Sequence, residues 1–299
     1  MAFVACGLLV TSAASDAQQV GDTLYVPAVL NAAFAPGAGP VVFIDEAHNN
    51  FHRAGGRYLA FARILEADGY VVEPTTELFT RELLSGARLL VVANALAERN
   101  VEDWSLPTPS AFTDDEVRAV REWVAEGGSL FLIADHMPCP GAVENLAHAF
   151  GVTYSNGFVF EGEARFPMTF RRSDGSLGDH EITRGQLASE AIDSVSTFTG
   201  SAFRGEDLEP LLILRSDCIS LEPETAWEFG DETKQVDVAG WYQGAVLRHG
   251  DGRVAVFGEA AMFTSQRSGP EARPMGMSAP VAGQNERFLL NLVHWLTGA

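Results

Sequence analysis

The chain has 299 residues, of which 46% are hydrophobic, so it carries enough apolar material for a substantial core. Its formal net charge is −20 at pH 7. An acidic surface repels phosphate backbones and anionic lipid headgroups, which argues against nucleic acid as a partner and against binding to a membrane surface. The oligomeric state cannot be read from the sequence.

The N-terminal segment has the pattern of a secretory signal peptide. An apolar run over residues 2–10 is followed by small residues, and Ser-Asp-Ala at 15–17 fits a cleavage site. The run is shorter than the roughly 20 residues that span a bilayer, and no later apolar segment is long enough either. We predict a signal peptide over residues 1–17 and export to the periplasm or the extracellular space. The alternative is a buried N-terminal strand or helix.

Removal of that segment, which contains Cys6, would leave two cysteines, Cys139 and Cys218. In an exported protein they could form one disulfide, but their spacing alone leaves this open. The chain contains no Cys-x-x-Cys pair that would support a zinc knuckle. Cys139 lies between two prolines, which favours a structural or disulfide-bonded cysteine over a nucleophile.

The segments that follow predict alternating strands and helices. Residues 18–39 predict an extended lead-in that ends in a loop rich in proline and glycine. The predicted strands lie at 41–45, 70–74, 89–94 and 129–135, and the predicted helices at 55–70, 113–128, 141–151 and 283–298. In the helix at 113–128, Thr113 and Glu116 form a capping-box pattern.

The second half of the chain begins with a less regular region over 152–245. A hairpin is predicted over 244–259, turning at residues 250–252. Continuously apolar strands that alternate with helices indicate a parallel sheet covered on both faces. We therefore predict one α/β domain over residues 40–298, with an irregular insertion in its middle.

Polar side chains follow three of the predicted strands at the points where the strands end. Ligands of open α/β sheets bind beyond the carboxyl ends of the strands, so we expect these residues to gather at one edge of the sheet. They are Asp45, Glu46, His48 and His52 after the first strand, Asp135 and His136 after the fourth, and Glu259 after the last.

Such a set of residues fits more than one chemistry. A divalent metal could be held by His48, His52, Asp135 and His136, and it would activate a bound water. Without a metal, Glu46, His48, Asp135, His136 and Glu259 could act as catalytic acids and bases. The remaining alternative is structural: the carboxylates cap helices and fix loops, and the histidines fill polar gaps.

Further candidate residues for substrate binding lie in loops. Some share the first strand-end loop, others lie in the polar loop 178–185, one is an aromatic residue able to stack on a sugar ring, and one ends the long polar loop 267–286. These residues are Asp45, Asn49, Asn50, His180, Arg184, Trp241 and Asn285.

Five segments of the chain occur in an order that is also found in a known family. They are FIDEAHNNFH, LFLIADHMPCPGAVENLA, DHEITRG, VFGEAAMFTSQ and NERFLLNLVHW. They resemble a bacterial family of unknown function in the class I glutamine amidotransferase-like superfamily, related to gliding-motility transport-associated and trehalose-utilisation-like domains. The resemblance covers about residues 40–298. It implies a flavodoxin-like three-layer sandwich with a mainly parallel sheet.

The resemblance does not imply glutaminase activity. Amidotransferases of this superfamily carry a cysteine at the turn where Asp135 and His136 stand here, and no histidine follows the late strand near Glu259. The trehalose-utilisation-like relatives suggest a carbohydrate ligand by analogy.

Two functions remain open from the sequence. The first is a hydrolase-like protein that acts on a small polar or carbohydrate-type substrate through the histidines and carboxylates at the strand ends. The second is a non-catalytic domain that binds a ligand or partner in the same crevice. We expect Glu46, His48, His136 and Glu259 to surround one pocket, and His48→Ala to abolish function with little change in melting temperature.

Overall fold

The structure is a computed structural model that describes residues 19–162 and 166–299. The predicted signal peptide and Cys6 lie outside the described residues. Most predicted elements are found within one to four residues of their expected bounds. The exception at the level of elements is the predicted helix over 141–151, which forms as two short helices that meet at Val143.

The described residues contain the following elements. The strands are β1 (Gln19–Gly21), β2 (Val41–Asp45), β3 (Val71–Thr75), β4 (Leu89–Ala93), β5 (Ser129–Ile133), β6 (Thr153–Tyr154), β7 (Phe158–Glu161), β8 (Met168–Arg171), β9 (Ser194–Thr197), β10 (Phe203–Arg204), β11 (Glu209–Ile213), β12 (Cys218–Glu222), β13 (Lys234–Asp237), β14 (Tyr242–His249), β15 (Gly252–Phe257), β16 (Ser265–Ser268) and β17 (Arg273–Gly276). The α-helices are α1 (Leu59–Ala67), α2 (Arg81–Leu84), α3 (Asp114–Ala125), α4 (Cys139–Ala142), α5 (Glu144–His148), α6 (Glu181–Arg184) and α7 (Asn285–Thr297). None of these helices combines the length and the apolar character that crossing a membrane requires.

The main sheet of the described chain has nine strands in the order β3-β2-β4-β5-β15-β14-β10-β6, with β11 paired to β14. Strands β3, β2, β4, β5 and β15 run parallel to one another. The pairings beyond β15 are antiparallel. The fold is therefore mixed α/β, and the predicted parallel sheet forms one half of a larger mixed sheet.

Helices cover both faces of the parallel half, because alternate residues of each strand point to opposite faces. Ile44 of β2 packs in one core cluster with Phe61 of α1 and Phe288 of α7. Its neighbour Phe43 packs in the second cluster with Val120 of α3. Each such side chain contributes roughly 1.5–3 kcal/mol by leaving water, so both faces of the sheet are fixed to their helices.

Helix α3 begins where the sequence predicts. The Thr113 side chain accepts a hydrogen bond from the backbone N–H of Glu116, and the Glu116 carboxylate accepts one from the backbone N–H of Thr113. The buried face carries Val120, Trp123 and Val124. The Glu116 carboxylate is itself buried, so this helix start also brings a charge towards the loop that follows β2.

The irregular middle of the chain forms small antiparallel sheets. Strand β12 pairs with β13 and β7, and β8 pairs with β9. The loop after β9 brings Thr199 next to Asp135 at the end of β5. The loop between β12 and β13 brings Trp227 against His136. The middle region therefore supplies one side of the crevice at the strand ends.

Candidate functional site

A cavity of about 250 Å³ lies at the carboxyl ends of the parallel strands, and we call it the strand-end cavity. It is lined by residues from the loops after β2, β4, β5 and β15, from the irregular middle and from strands β1, β16 and β17. The polar lining residues used below are His52, Arg57, Asn94, Asp135, His136 and Thr199. Of the residues that the sequence analysis places at the strand ends, the structure brings His52, Asp135 and His136 together in the lining of this cavity.

Asn94 ties two of these loops together. Its side-chain amide donates a hydrogen bond to Nδ1 of His52 at 3.1 Å, and its Oδ1 accepts one from the backbone N–H of Asp135 at 2.8 Å. Its backbone has a φ of 51°, in the left-handed region that asparagine tolerates better than most residues. Asn94 thus fixes the relative positions of His52 and Asp135.

His52 is a neutral hydrogen-bond donor in the cavity wall. The ring is 3% exposed, and burial, with the charges of Arg57 and His136, lowers its pKa to about 3. Because Nδ1 accepts from Asn94, the proton of the neutral ring lies on Nε2. Nε2 has no hydrogen-bond partner among the described residues. A buried donor without a partner is costly, which indicates that a ligand or water satisfies it.

His136 presents a free lone pair. Its Nδ1 lies 2.8 Å from the carbonyl oxygen of Met137, which can only accept, so Nδ1 donates. In the neutral ring Nε2 is then unprotonated and can accept a proton. The ring is stacked on Phe158 with 4.4 Å between centroids and meets the edge of Trp227 at 4.7 Å. These contacts hold the orientation of the imidazole.

Asp135 lies next to His136 in the loop after the carboxyl end of β5 and is 5% exposed. Its Oδ1 accepts hydrogen bonds from the backbone N–H of His136 at 2.8 Å and from the hydroxyl of Thr199 at 3.0 Å. The carboxylate is therefore held in place by both the β5 loop and the middle region.

Glu259 lies behind the cavity wall. Its carboxyl group is fully buried and accepts hydrogen bonds from the backbone N–H groups of Ala261 at 3.0 Å and Met262 at 2.7 Å. Burial, together with the charge of Asp135, raises its pKa well above the ordinary value. Glu259 thus holds the turn that brings Ala261 into the cavity lining, and the prediction that it faces the cavity itself is wrong.

Aromatic side chains form the walls of the cavity. Phe51 and Trp104 meet edge to face with 5.5 Å between centroids. Trp227 also lines the cavity, lies beside His136 and is 49% exposed. Arg57 lies over the ring of Phe51, with 4.0 Å from its guanidinium carbon to the centroid. Such walls can hold the apolar faces of a flat or cyclic ligand.

The structure places His48 away from the cavity, which corrects the prediction that it faces ligand. Its Nδ1 donates to the Asp45 carboxylate at 2.9 Å and its Nε2 donates to Glu116 Oε1 at 2.8 Å. The ring is 4% exposed and lies between Phe79 and Phe112. With both nitrogens engaged, His48 is an ionic link between the β2 loop and helix α3.

The other polar residues of the loop after β2 also make contacts within that loop. Glu46 Oε1 accepts a hydrogen bond from the backbone N–H of Ala54 at 2.9 Å, so it too does not line the cavity. Asn50 donates to the fully buried Asp45 at 2.9 Å. Asn49 has a φ of 49°, which turns the chain between His48 and His52. The predicted binding roles of Asp45, Asn49 and Asn50 are thus replaced by contacts within the loop.

The remaining predicted binding residues lie elsewhere. His180 accepts a hydrogen bond from the backbone N–H of Ile182 at the start of α6. Arg184 forms an ion pair with Asp179 at 2.9 Å. The structure also gives structural contacts to Trp241, which lies under the guanidinium of Arg204, and to Asn285, whose side chain donates to the carbonyls of Ser196 and Met262. None of the four lines the strand-end cavity.

The four predicted metal ligands, His48, His52, Asp135 and His136, do not bring their ligand atoms close enough together to share one ion. Among the described residues, the ligand atoms that lie within 4.8 Å of one another belong to Glu161, Asp217 and Cys218. That group is a poor metal site because Glu161 is ion-paired with Arg215 and burial raises the pKa of Cys218 to about 11. His52 also has one nitrogen engaged by Asn94.

Cys139 and Cys218 are both buried free thiols, so the disulfide that the sequence left open is not formed. Cys139 lines the strand-end cavity. Burial and the charge of Asp135 raise the pKa of its thiol well above the ordinary value. The thiolate, the nucleophilic form, is therefore disfavoured.

Several cavity residues escaped the sequence analysis. Asn94 ends the predicted strand at 89–94, so the strand-end rule could have identified it. Arg57 lies inside the segment assigned to a helix, and Thr199, Trp104 and Trp227 come from regions without a regular pattern. No local signal in the sequence marks these four.

By sequence, the chain matches no protein-family model, and it matches no curated protein. Among solved structures it is similar to the mmIFT52 N-terminal domain, with 13% identity over 87% of this chain and 98% of that chain and a TM-score of 0.59. A protein described as ThuA-like from Bacteroides uniformis has 14% identity over 89% of this chain and 94% of its own, with a TM-score of 0.48. A cytoplasmic protein from Salmonella typhimurium has 12% identity over 86% and 98%, also with a TM-score of 0.48. The likeness to the first of these shows a shared fold and does not extend to activity.

Proposed function

We propose that the chain is a hydrolase-like protein that takes a small polar or carbohydrate-type substrate into the strand-end cavity. The observation that carries the proposal is the hydrogen bond from His136 Nδ1 to the carbonyl of Met137, because it leaves Nε2 free as a base. Aromatic walls beside a polar floor are typical of sites that bind small molecules.

In this proposal His136 is the general base. Its Nε2 removes a proton from water, the hydroxide attacks the electrophilic carbon of the substrate, and the protonated ring returns the proton to the leaving group. The Nε2–H of His52, which lacks a partner among the described residues, offers a hydrogen bond to an oxygen of the bound substrate. The hydroxyl of Thr199 holds the Asp135 carboxylate in place beside His136.

A non-catalytic binding domain is the second candidate. The observation that favours it is the state of Cys139, because the thiol in the cavity is held in its unreactive protonated form. The same aromatic walls would then bind a ligand without converting it.

We also infer membership of the class I glutamine amidotransferase-like superfamily and a flavodoxin-like sandwich, without glutaminase activity. The order of the five parallel strands supports this. If the strands are numbered along the chain, they lie across the sheet in the order 2-1-3-4-5, which is the order of flavodoxin-like folds. Asp135 and His136 occupy the turn where those amidotransferases carry their nucleophile, and Cys139 lies one short turn later.

The test is the hydrolysis of nitrophenyl glycosides and nitrophenyl esters by the purified protein. His136→Asn should lower the rate by about 10²–10⁴-fold, the usual contribution of a general base. His148→Asn is the matched control, since His148 lies half-exposed on α5 and outside the cavity. Equal rates in both variants would contradict the catalytic proposal. Ligand that binds and is recovered unchanged would favour the binding domain.

A further inference from the structure

Arg57 introduces a positive charge into the strand-end cavity that no described residue neutralises through an ion pair. Its guanidinium contacts the ring of Phe51 and, at 3.5 Å, the side-chain oxygen of Gln19. Burial lowers its pKa, while the charge of Asp135 opposes the shift. Arginine remains protonated in such settings, so the site holds a half-buried cation. A cation removed from water is stabilised by an anion in the same site.

His52 adds a second donor to the same cavity. Its ring is 3% exposed, and its Nε2–H has no partner among the described residues. Both side chains line the cavity and contact the ring of Phe51, whose centroid lies 4.0 Å from the guanidinium carbon of Arg57 and 5.8 Å from the His52 ring centroid. A guanidinium and a neutral N–H together match the two oxygens of a carboxylate.

The rest of the cavity fits the ring of a sugar. Its volume of about 250 Å³ lies just below the range of about 300–1,000 Å³ usual for drug-sized ligands, which suits one ring rather than several. Trp104 and Trp227 offer apolar faces. Hydroxyl groups would find acceptors in Asp135 and in Gln266 Oε1, a buried oxygen in the cavity lining without a partner among the described residues.

We propose that the ligand of this cavity is a monosaccharide that carries a carboxylate, a uronic acid, with the carboxylate held by Arg57 and His52. This inference rests on the proposed function and specifies its substrate class. A carboxylate is favoured over a phosphate by its charge, because it carries one negative charge and Arg57 supplies one positive charge. A doubly charged phosphate would also be opposed more strongly by Asp135 and by the net charge of −20.

The first experiment uses the unmodified protein and isothermal titration calorimetry with galacturonate, its methyl ester and galactose. The ester keeps the ring and removes the charge. Galacturonate should bind on the order of ten- to a hundredfold more tightly than the ester or galactose, since hydrogen bonds to a charged group contribute about 1.5–3 kcal/mol. Because it compares ligands, this measurement does not depend on the folding of any variant.

The second experiment changes the arginine. Arg57→Gln should bind galacturonate no more tightly than galactose, while Arg57→Lys should retain part of the preference for galacturonate. Arg118→Gln is the control, because Arg118 is exposed on α3 and pairs with Asp115 outside the cavity. It should bind all three ligands as the unmodified protein does.

The outcomes separate this inference from the proposed function. Equal binding of galacturonate, ester and galactose would overturn the uronic acid and leave a carbohydrate site in place. A preference for galacturonate that survives in Arg57→Gln would also overturn the inference, since a group other than Arg57 would then bind the carboxylate. If none of the three binds at millimolar concentration, the carbohydrate-type ligand fails together with the uronic acid.

Discussion

Asn94 donates a hydrogen bond to Nδ1 of His52 at 3.1 Å, which joins the loops after two neighbouring parallel strands. The bond also decides the chemistry of the imidazole, because an Nδ1 that accepts leaves the proton on Nε2. The same asparagine accepts the backbone N–H of Asp135. One side chain thus sets the tautomer of His52 and the position of the neighbouring carboxylate.

The first prediction concerns Asn94. Asn94→Gly should weaken the binding of galacturonate by about tenfold. It should leave the backbone unstrained, since glycine accepts a φ of 51°. Asn94→Ala should lose the same binding and about 1–2 kcal/mol more stability from the left-handed backbone. Calorimetric titration and thermal melting measure the two effects. Unchanged binding in both variants would show that the Asn94 contacts do not organise the cavity.

The second prediction concerns His48. His48→Ala should destabilise the protein by about 3–5 kcal/mol, because Asp45 and Glu116 would remain buried without their shared partner. This reverses the effect expected from the sequence, which was lost function with little change in melting temperature. His148→Ala, at an exposed position, should melt as the unmodified protein does. A His48→Ala variant of normal stability would contradict the ionic link.

The pH dependence of that link is a third prediction. Burial lowers the pKa of His48, but the hydrogen bonds and charges of Asp45 and Glu116 outweigh this and raise it above the ordinary value. The stabilisation is therefore complete below the unfolded pKa of about 6.5 and is lost as pH rises through the higher folded pKa. The difference in melting temperature between the protein and His48→Ala should shrink as the pH rises above about 6.5. A difference that grows over this range would contradict the assignment.

The fourth prediction concerns Glu259. Because burial and Asp135 raise its pKa, its contribution to stability is present below the unfolded pKa of about 4.3 and is lost as pH rises towards the folded pKa. Glu259→Gln, which resembles the protonated acid, should gain stability relative to the unmodified protein as the pH rises above about 4.3. Glu259→Ala should lose about 1–3 kcal/mol by leaving the N–H groups of Ala261 and Met262 unbonded. If the melting temperatures of Glu259→Gln and of the unmodified protein depend on pH in the same way over this range, the pKa of Glu259 is not raised.

The fifth prediction concerns the thiols. In a Cys6→Ser background, Cys139 and Cys218 should resist a thiol reagent at about pH 8 in the native protein, because both are buried and their pKa values are raised. Denaturation without reductant should release two reactive thiols per chain. Release of none would show a disulfide instead.

The regular half of the fold was accessible from the sequence because its signals are local. The continuously apolar residues 41–45 form β2, and the pattern at Thr113 and Glu116 starts α3. The ends of the predicted strands also pointed to His52, Asp135 and His136, which line the strand-end cavity. These predictions need only periodicity, capping and the rule that ligands meet the carboxyl ends of parallel strands.

The rest of the site depends on geometry that no local pattern specifies. His48 and His52 are four residues apart, yet the left-handed turn at Asn49 sends one towards helix α3 and the other into the cavity. Thr199 and Trp227 reach the cavity from the irregular middle, where long-range contacts rather than periodicity set the path of the chain. Which polar residue faces ligand was therefore decided by tertiary packing.

The crystal structure of the protein soaked with galacturonate and galactose tests the central claim most directly, which is that the strand-end cavity is the functional site. The expected result is density for a sugar ring between Trp104 and Trp227, with an oxygen within hydrogen-bond distance of His136 Nε2. A larger cleft of about 700 Å³ beside Arg204 and His249 is the rival location. Density in that cleft with an empty strand-end cavity would contradict the claim.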